Sequence, residues 1–259
     1  MIGAAVAIAA PPLAAALAGL TYATIAPACQ LWGPVIARGP AGSGKVALTF
    51  DDGPTPGSTD RVLDVLRDAN VKASFFVIGA NAQHQPDLLR RIHDHGHLIA
   101  NHTFSHWHYG VTRALRYWTD EIRAADEVIE SIIGVRPALF RPPMGVKTWH
   151  TMRAARELGH TIVTWSLRAR DGLPTTAAQI TRRFADVGDG SILLLHDGVE
   201  PSAPCRDRSA TIEALRPLIE TLHGKGLRPV RLDELLGVPA YQSRGVTAAA
   251  AAGDGAMAT

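Results

Sequence analysis

Two adjacent carboxylates, Asp51 and Asp52, end a short apolar run at residues 46–50 and are followed at once by Gly53-Pro54. The run has the length and β-branched character of a buried strand, and Gly-Pro forces a turn after it. Side-by-side carboxylates repel each other. A divalent cation held by one of them offsets that repulsion and leaves the other free as a base. Asp-Asp-Gly-Pro is also ordinary turn chemistry, so these residues alone do not decide. Other polar residues stand in the same kind of place. His102 follows a strand-like run ending at Ala100, and Arg141 follows residues 138–140. Asp171 lies beyond residues 161–165, and His196-Asp197 follows residues 191–195. Each of these five groups sits just past the C-terminal end of a different strand. In a parallel α/β barrel those ends converge on one face, where barrel enzymes place their sites.

His102 and His106 are four residues apart. One helical turn places both imidazoles on one side, which suits a shared metal. Among eleven histidines such pairs arise by chance, so the strand-end carboxylate matters. With it the set becomes His₂Asp, with a position open for water. His93, His95 and His97 form a rival set on one face of an extended segment. No strand-end carboxylate belongs to it, and it reads as a polar approach to the third strand. His84, His108, His150, His160 and His223 read as surface or internally satisfied histidines.

The elements that must hold these groups alternate along the chain. Strand-like runs occupy residues 46–50, 73–78, 97–100, 138–140, 161–165, 191–195 and, weakly, 228–230. Helical patterns occupy 59–69, 87–94, 114–133, 149–158, 176–187 and 209–223. Repeated β-α units imply parallel strands with helices outside, hence a barrel or a doubly wound sheet. A chain of 259 residues with 46% hydrophobic side chains suits a single barrel of this kind. The net charge of +2 without a long basic run gives nucleic-acid binding no support. Two cysteines, Cys29 and Cys205, make neither a disulfide framework nor a cysteine zinc site.

The flanks differ in character. Residues 1–37 carry no charged side chain, and the run from Gly3 to Ala28 is long enough for a bilayer. Pro11-Pro12 inside it is expected to kink or split a helix. Three readings stand: a retained membrane anchor, a signal cleaved near Ala26-Pro27-Ala28, or an apolar helix packed on the domain. Arg38 and Lys45 follow the run with nothing basic before it, which favours a cytoplasmic catalytic domain by the positive-inside rule. Residues 39–45 fit G-x-x-x-x-G-K, most of a phosphate-binding loop. Val46 stands where that motif needs Ser or Thr, and the loop precedes a strand instead of following one. Residues 38–45 therefore read as a flexible linker with no nucleotide role. Residues 238–259 read as a fraying Ala/Gly-rich tail.

Taken together, the motifs resemble the polysaccharide deacetylases of carbohydrate esterase family 4, the NodB-homology domain. The likeness covers residues 45–236. It runs through Thr-Phe-Asp-Asp-Gly-Pro at 49–54, His-Thr-Phe-Ser-His at 102–106 and Arg-Pro-Pro-Met-Gly at 141–145. The segment from Trp165 to Asp171 and Leu-Leu-His-Asp-Gly at 194–198 complete it. The resemblance implies a distorted (β/α) barrel of 7–8 parallel strands over residues 46–237. It implies a metal-dependent hydrolase that removes N-acetyl groups from a glycan such as peptidoglycan or a chitin-like oligomer. Asp51 is then the general base, and Asp52, His102 and His106 hold a divalent metal, zinc or cobalt. Arg141 holds Asp51, Asp171 tunes His196, and His196 is the general acid. Leu194 and Trp165 line the acetyl pocket, and the main-chain N–H of Met144 faces the oxyanion. Met144 stands where the family usually has Tyr, and Gly172 where it often has Trp. Both departures bear on substrate more than on reaction. Arg168 and Arg170 add positive charge nearby, which fits an anionic saccharide or two solvated arginines. Competing readings are an O-deacetylase of an acetylated polysaccharide, a deformylase or deacetylase of a lipid-linked sugar, and a carbohydrate-binding pseudoenzyme. The expected partners are a glycan or glycolipid substrate and a membrane, for a monomer in the cell envelope.

Overall fold

A computed structural model of the protein describes residues 3–108, 112–200, 203 and 205–243, with residues 3–12 described by backbone alone. The central strand β1 (Lys45–Asp51) is buried almost throughout. It pairs in parallel with β2 (Ser74–Val77), β7 (Ile192–His196) and β8 (Arg228–Val230). On the far side of β2 follow β3 (Leu98–Asn101), β4 (Leu139–Phe140) and β5 (Thr161–Ile162). Beyond β7 lies β6 (Leu167–Arg168). The path β5-β4-β3-β2-β1-β7-β6 with β8 against β1 makes an eight-stranded, all-parallel curled sheet.

Alternation along the strands sorts side chains to two faces. Val46, Leu48 and Phe50 of β1 join Leu193 and Leu195 of β7 in one cluster. That cluster packs on the amphipathic helices α2 (Thr59–Asp68), α4 (Pro86–Asp94) and α5 (Ser209–Gly224). Ala47, Leu98, Ala100, Leu139, Ile192 and Leu194 form the inner cluster. Extending the inner rows reaches His102, Arg141 and His196 two residues past Ala100, Leu139 and Leu194, and Asp51 four residues past Ala47, with Thr49 between. One parity rule thus aims four chemical groups at the same interior.

The expected fifth strand, 161–165, is divided in the structure. Thr161–Ile162 pairs with β4, then Val163 bridges Ile36 in parallel. Arg38 bridges Ser191 antiparallel. Residues 36–38 therefore span the seam between β5 and the start of β7, where the sheet does not close on itself. The segment expected to be a flexible linker is also tied down. Backbone N–H groups of Gly42, Ser43 and Lys45 all donate to the Asp189 carboxylate. The glycine-rich turn that resembles a phosphate cradle grips a carboxylate of its own chain. The tail is bound as far as it is described. Tyr241 bridges Pro137, and Gln242 donates to Pro137 O and Leu158 O at 3.0 and 2.9 Å. The low-complexity stretch at 248–252 lies outside the described residues.

Helix α1 (Gly3–Ile25) runs unbroken through Pro11-Pro12, contrary to the expected kink or split. The two missing donors leave the carbonyls of residues 7 and 8 without helical partners but do not end the element. Its C-terminal end docks on the domain. Lys147 N donates to Thr24 O at 2.9 Å, Lys147 Nζ to Ala26 O at 2.6 Å, and Thr164 Oγ1 to Pro27 O at 2.9 Å. Among the described residues no helix is long and apolar enough to cross a membrane. A membrane-spanning anchor is therefore not seen here.

Candidate active site and metal centre

The register of the sheet juxtaposes the strand ends. Asp51 of β1 is the direct partner of His196 of β7, and Asn101 of β3 is the partner of Phe140, one residue before Arg141. Asp51, Asp52, His102, His106, Met144, Trp165, Leu194 and His196 all line one cleft of about 710 Å³. Arg141 and Asp171 lie beneath them, 0% and 3% exposed. All ten residues singled out in the sequence therefore meet at one place.

The carboxylate pair divides cleanly. Asp51 Oδ1 accepts from Arg141 Nη1 at 2.6 Å, and the same nitrogen donates to Thr49 Oγ1 at 3.0 Å. Arg141 Nε and Nη2 donate to the main-chain carbonyls of Val163 and Thr164. Its guanidinium also lies 3.9 Å from the Phe76 ring centroid. Four of the five N–H donors of the fork are thus engaged, which fixes it. Burial pushes the Asp51 carboxyl up to about 6, against the pull of Arg141 and His196. Asp52, at φ 73°, turns its side chain the other way. Its Oδ1 is buried without a hydrogen-bond partner.

That orphaned oxygen faces two imidazoles. His102 Nε2 lies 3.6 Å from it and His106 Nε2 3.4 Å. His102 Nδ1 is 2.7 Å from the Arg141 carbonyl, to which it donates, so Nε2 presents its lone pair. Burial and the neighbouring His106 hold His102 well below the usual histidine range, hence neutral. Ligands about 2.1 Å from a tetrahedral ion stand about 3.4 Å apart. The three atoms therefore fit a divalent metal, and an uncompensated buried carboxylate oxygen is hard to place otherwise.

The histidines meet by a different route than expected. The loop after β3 is not helical, and residues Thr103 and His106 sit at φ 66° and 52°. Thr103 N donates to Asn101 Oδ1 and His106 N to Thr103 Oγ1, which curls the loop. Gly79 N and Ala80 N, at the start of α3 (Gly79–His84), donate to Thr103 O and Phe104 O. A Cβ at Gly79 would stand 2.9 Å from Phe104 and Ala125, so glycine lets the helix approach. Asn101 is braced by Asp126 at 2.7 Å, and Asp126 by His160 at 2.9 Å, all fully or nearly buried. Of six non-glycine residues described with positive φ, five (Asp52, Thr103, His106, Met144, Arg170) flank this cleft. Such strain persists where surrounding structure over-determines it, as at active sites.

His196 is placed to hold a proton. Asp171 Oδ1 is 2.7 Å from His196 Nδ1, while Asp171 Oδ2 accepts from His196 N and Thr211 Oγ1. Burial opposes the imidazolium, but the Asp171 carboxylate outweighs it and holds His196 up at about 9.

Other residues fall elsewhere. His97 begins the opposite end of β3 and accepts from Ala73 N at 3.1 Å. Burial drives it down to about 3, and among the described residues His93, His95 and His97 form no group close enough to share a metal ion. Asp197 faces away from the cleft, accepts from Thr59 Oγ1, and is pushed up to about 7 by burial. Sequence reading missed Thr49, whose signal was its place two residues before Asp51 on the same strand face. It also missed Asn101, Glu200, His108 and Arg208. Glu200, His108 and Arg208 line the cleft, and nothing in their spacing marked them.

Comparisons with known proteins agree with this geometry. The family model "Polysaccharide deacetylase" matches residues 38–163. A peptidoglycan-N-acetylglucosamine deacetylase of Bacillus cereus is 35% identical over 198 residues, 76% of this chain and 70% of that protein. A chitooligosaccharide deacetylase of Bradyrhizobium sp. is 34% identical over 201 residues, 75% of this chain and 92% of that protein. The solved structure of a peptidoglycan N-acetylglucosamine deacetylase in complex with an N-oxidanyl-benzamide superposes with a TM-score of 0.75 at 32% identity. That match covers 80% of this chain and 95% of the other. A curled parallel sheet with Asp51, Asp52, His102, His106 and His196 at its strand ends, together with these relatives, places the chain in the polysaccharide deacetylase family.

Proposed function

We propose that the protein is a metal-dependent hydrolase that removes N-acetyl groups from an N-acetylglucosamine glycan, peptidoglycan or a chitin-like oligomer. The observation that carries this reading is the meeting of Asp51 and His196 with the buried Asp52-His102-His106 set in one cleft. A divalent metal on that set, zinc by donor type, supplies Lewis acidity and makes water a better nucleophile. Asp51, its Oδ1 held by Arg141, accepts at Oδ2 the proton released as water attacks the acetyl carbon. The main-chain N–H of Met144 faces the developing oxyanion, in the manner of a pre-aimed donor. His196 Nε2 delivers a proton to the departing amine, and Asp171 keeps the proton available. Leu194 and Trp165, both 6% exposed, wall the space for the acetyl methyl.

The test is acetate release by the full chain from peptidoglycan, chitooligosaccharides, acetylxylan and lipid-linked sugars. Release should stop with a chelator and return with zinc or cobalt. Chelator-insensitive release, or none from any amide-linked substrate, sinks the reading. A second reading, a lipid-linked sugar as substrate, draws support from the exposed Leu13, Leu17, Leu20, Tyr22 and Ile25 on α1. A run of exposed apolar side chains on a charge-free segment suits contact with membrane lipid and a place in the cell envelope.

The pH profile tests the acid. His196 is a donor only while protonated, so activity is lost as pH rises through about 9. Asp171→Asn removes the carboxylate that raises it. The alkaline limb of kcat against pH should then move to lower pH by about 1–3 units. An unmoved limb would remove His196 from the acid role.

A further inference from the structure

His106 can direct only one ring nitrogen at a cation shared with Asp52 and His102. Its Nε2 lies 3.4 Å from Asp52 Oδ1, so Nδ1 faces away. In a neutral ligating ring that Nδ1 carries the proton. It is buried and has no hydrogen-bond partner. His102 is arranged differently, since its Nδ1 already donates to the Arg141 carbonyl. What stands behind His106 is Glu200, whose Oε2 is 3.9 Å from Nδ1. Glu200 is 6% exposed, and its Oε1 is 3.4 Å from His108 Nε2. A buried carboxylate therefore sits on the back side of one imidazole, with a second imidazole against its other oxygen.

Ligand atoms of His106, His108 and Glu200 also lie within 4.8 Å of one another, which raises a second cation as the alternative. That cation would need His106 to coordinate through both nitrogens, as an imidazolate. An acceptor for the Nδ1 proton needs no such deprotonation.

We propose that Glu200 is the positioning residue for His106. Its carboxylate accepts the Nδ1–H, fixes the tautomer and orientation of the ring, and strengthens its hold on the metal. His108 steadies the other carboxylate oxygen. The 3.9 Å gap closes by a small rotation of the Glu200 side chain when the ring is pulled into register. This inference rests on the reading that Asp52, His102 and His106 bind the metal. Partners of this kind affect metal affinity by about 10–100-fold.

The experiment is zinc affinity of the full chain by competition with a chromophoric chelator. It compares the parent, Glu200→Ala, Glu200→Gln and His102→Ala, with melting of each metal-free protein as a folding check. Glu200→Ala should bind zinc about 10–100-fold more weakly. Glu200→Gln should fall between, because its amide oxygen still accepts the N–H. Parent-like affinity in Glu200→Ala, while His102→Ala abolishes binding, overturns the proposal and leaves the metal site standing. Parent-like affinity in His102→Ala fails both. Two zinc ions per parent chain falling to one in Glu200→Ala overturns it in favour of the second cation. A readout independent of the alanine variant is the histidine nitrogen-proton spectrum of the zinc-loaded parent. A downfield His106 Nδ1 proton that shifts in Glu200→Gln supports the proposal, and an Nδ1 without a proton overturns it.

Discussion

Asp51→Asn is expected to lower kcat for acetate release by about 10²–10⁴-fold, the scale of a lost general base, while zinc content stays unchanged. The substitution keeps the size of the side chain and an oxygen for Arg141 to hold. What it removes is the ability to accept a proton in the attack. The prediction discriminates because Asp51 Oδ2 is 3.6 Å from His102 Nε2, close enough for Asp51 to serve as a fourth ligand instead. If Asp51 were a ligand, zinc affinity would fall together with kcat. Two measurements on one variant, kcat at saturating zinc and zinc affinity itself, separate the roles. Near-parent kcat in the variant would remove Asp51 from the chemistry altogether.

Arg141→Ala should have the largest combined effect on stability and turnover. Arg141 is fully buried, its charge is matched by Asp51 at 2.6 Å, and its remaining donors reach Thr49 and two main-chain carbonyls. Removing one partner of a buried pair leaves the other charge unmatched, which costs about 3–5 kcal/mol. Chemical denaturation of the metal-free protein measures that loss. Turnover falls as well, because Asp51 loses the contact that aims it. Arg141→Lys keeps the charge but cannot reproduce a planar fork that bonds several acceptors at once. It should therefore recover part of the stability and little of kcat. Full recovery by lysine would mean that charge alone, and not geometry, is what Arg141 supplies.

Much of this site was legible from residue types and order. The alternation of apolar runs with helical patterns fixed a parallel sheet, and strand ends were the only places where Asp51-Asp52, Arg141 and His196 could gather. The reason is local: period-two alternation and turn residues are properties of a few neighbouring side chains. Where the sequence reading erred, the cause was long-range. His102 and His106 were expected to meet through a helical turn. They meet through a strained loop instead, whose shape depends on Asn101, Asp126 and the start of α3. The segment at 161–165 was expected to be one strand, but it changes partner midway because residues 36–38 occupy the seam. The glycine-rich stretch at 39–45 looked like a free linker, yet Asp189, more than 140 residues away, organises its N–H groups.

Sequence by itself determined which groups gather, since Asp51-Asp52, His102, Arg141 and His196 each stand just past a strand-like run, while the proposed roles of ligand, base and acid come from the family resemblance. Tertiary structure alone decided which partner each of them faces. Arg141 occupies one oxygen of Asp51, the φ of 73° at Asp52 turns its carboxylate toward the histidines, and Asp171 backs His196 from another strand end. It also decided the back-side partner of His106, because Glu200 reaches that ring only through the folding of the chain. Pairwise roles of this kind depend on distances between residues far apart in sequence, and no local pattern encodes them.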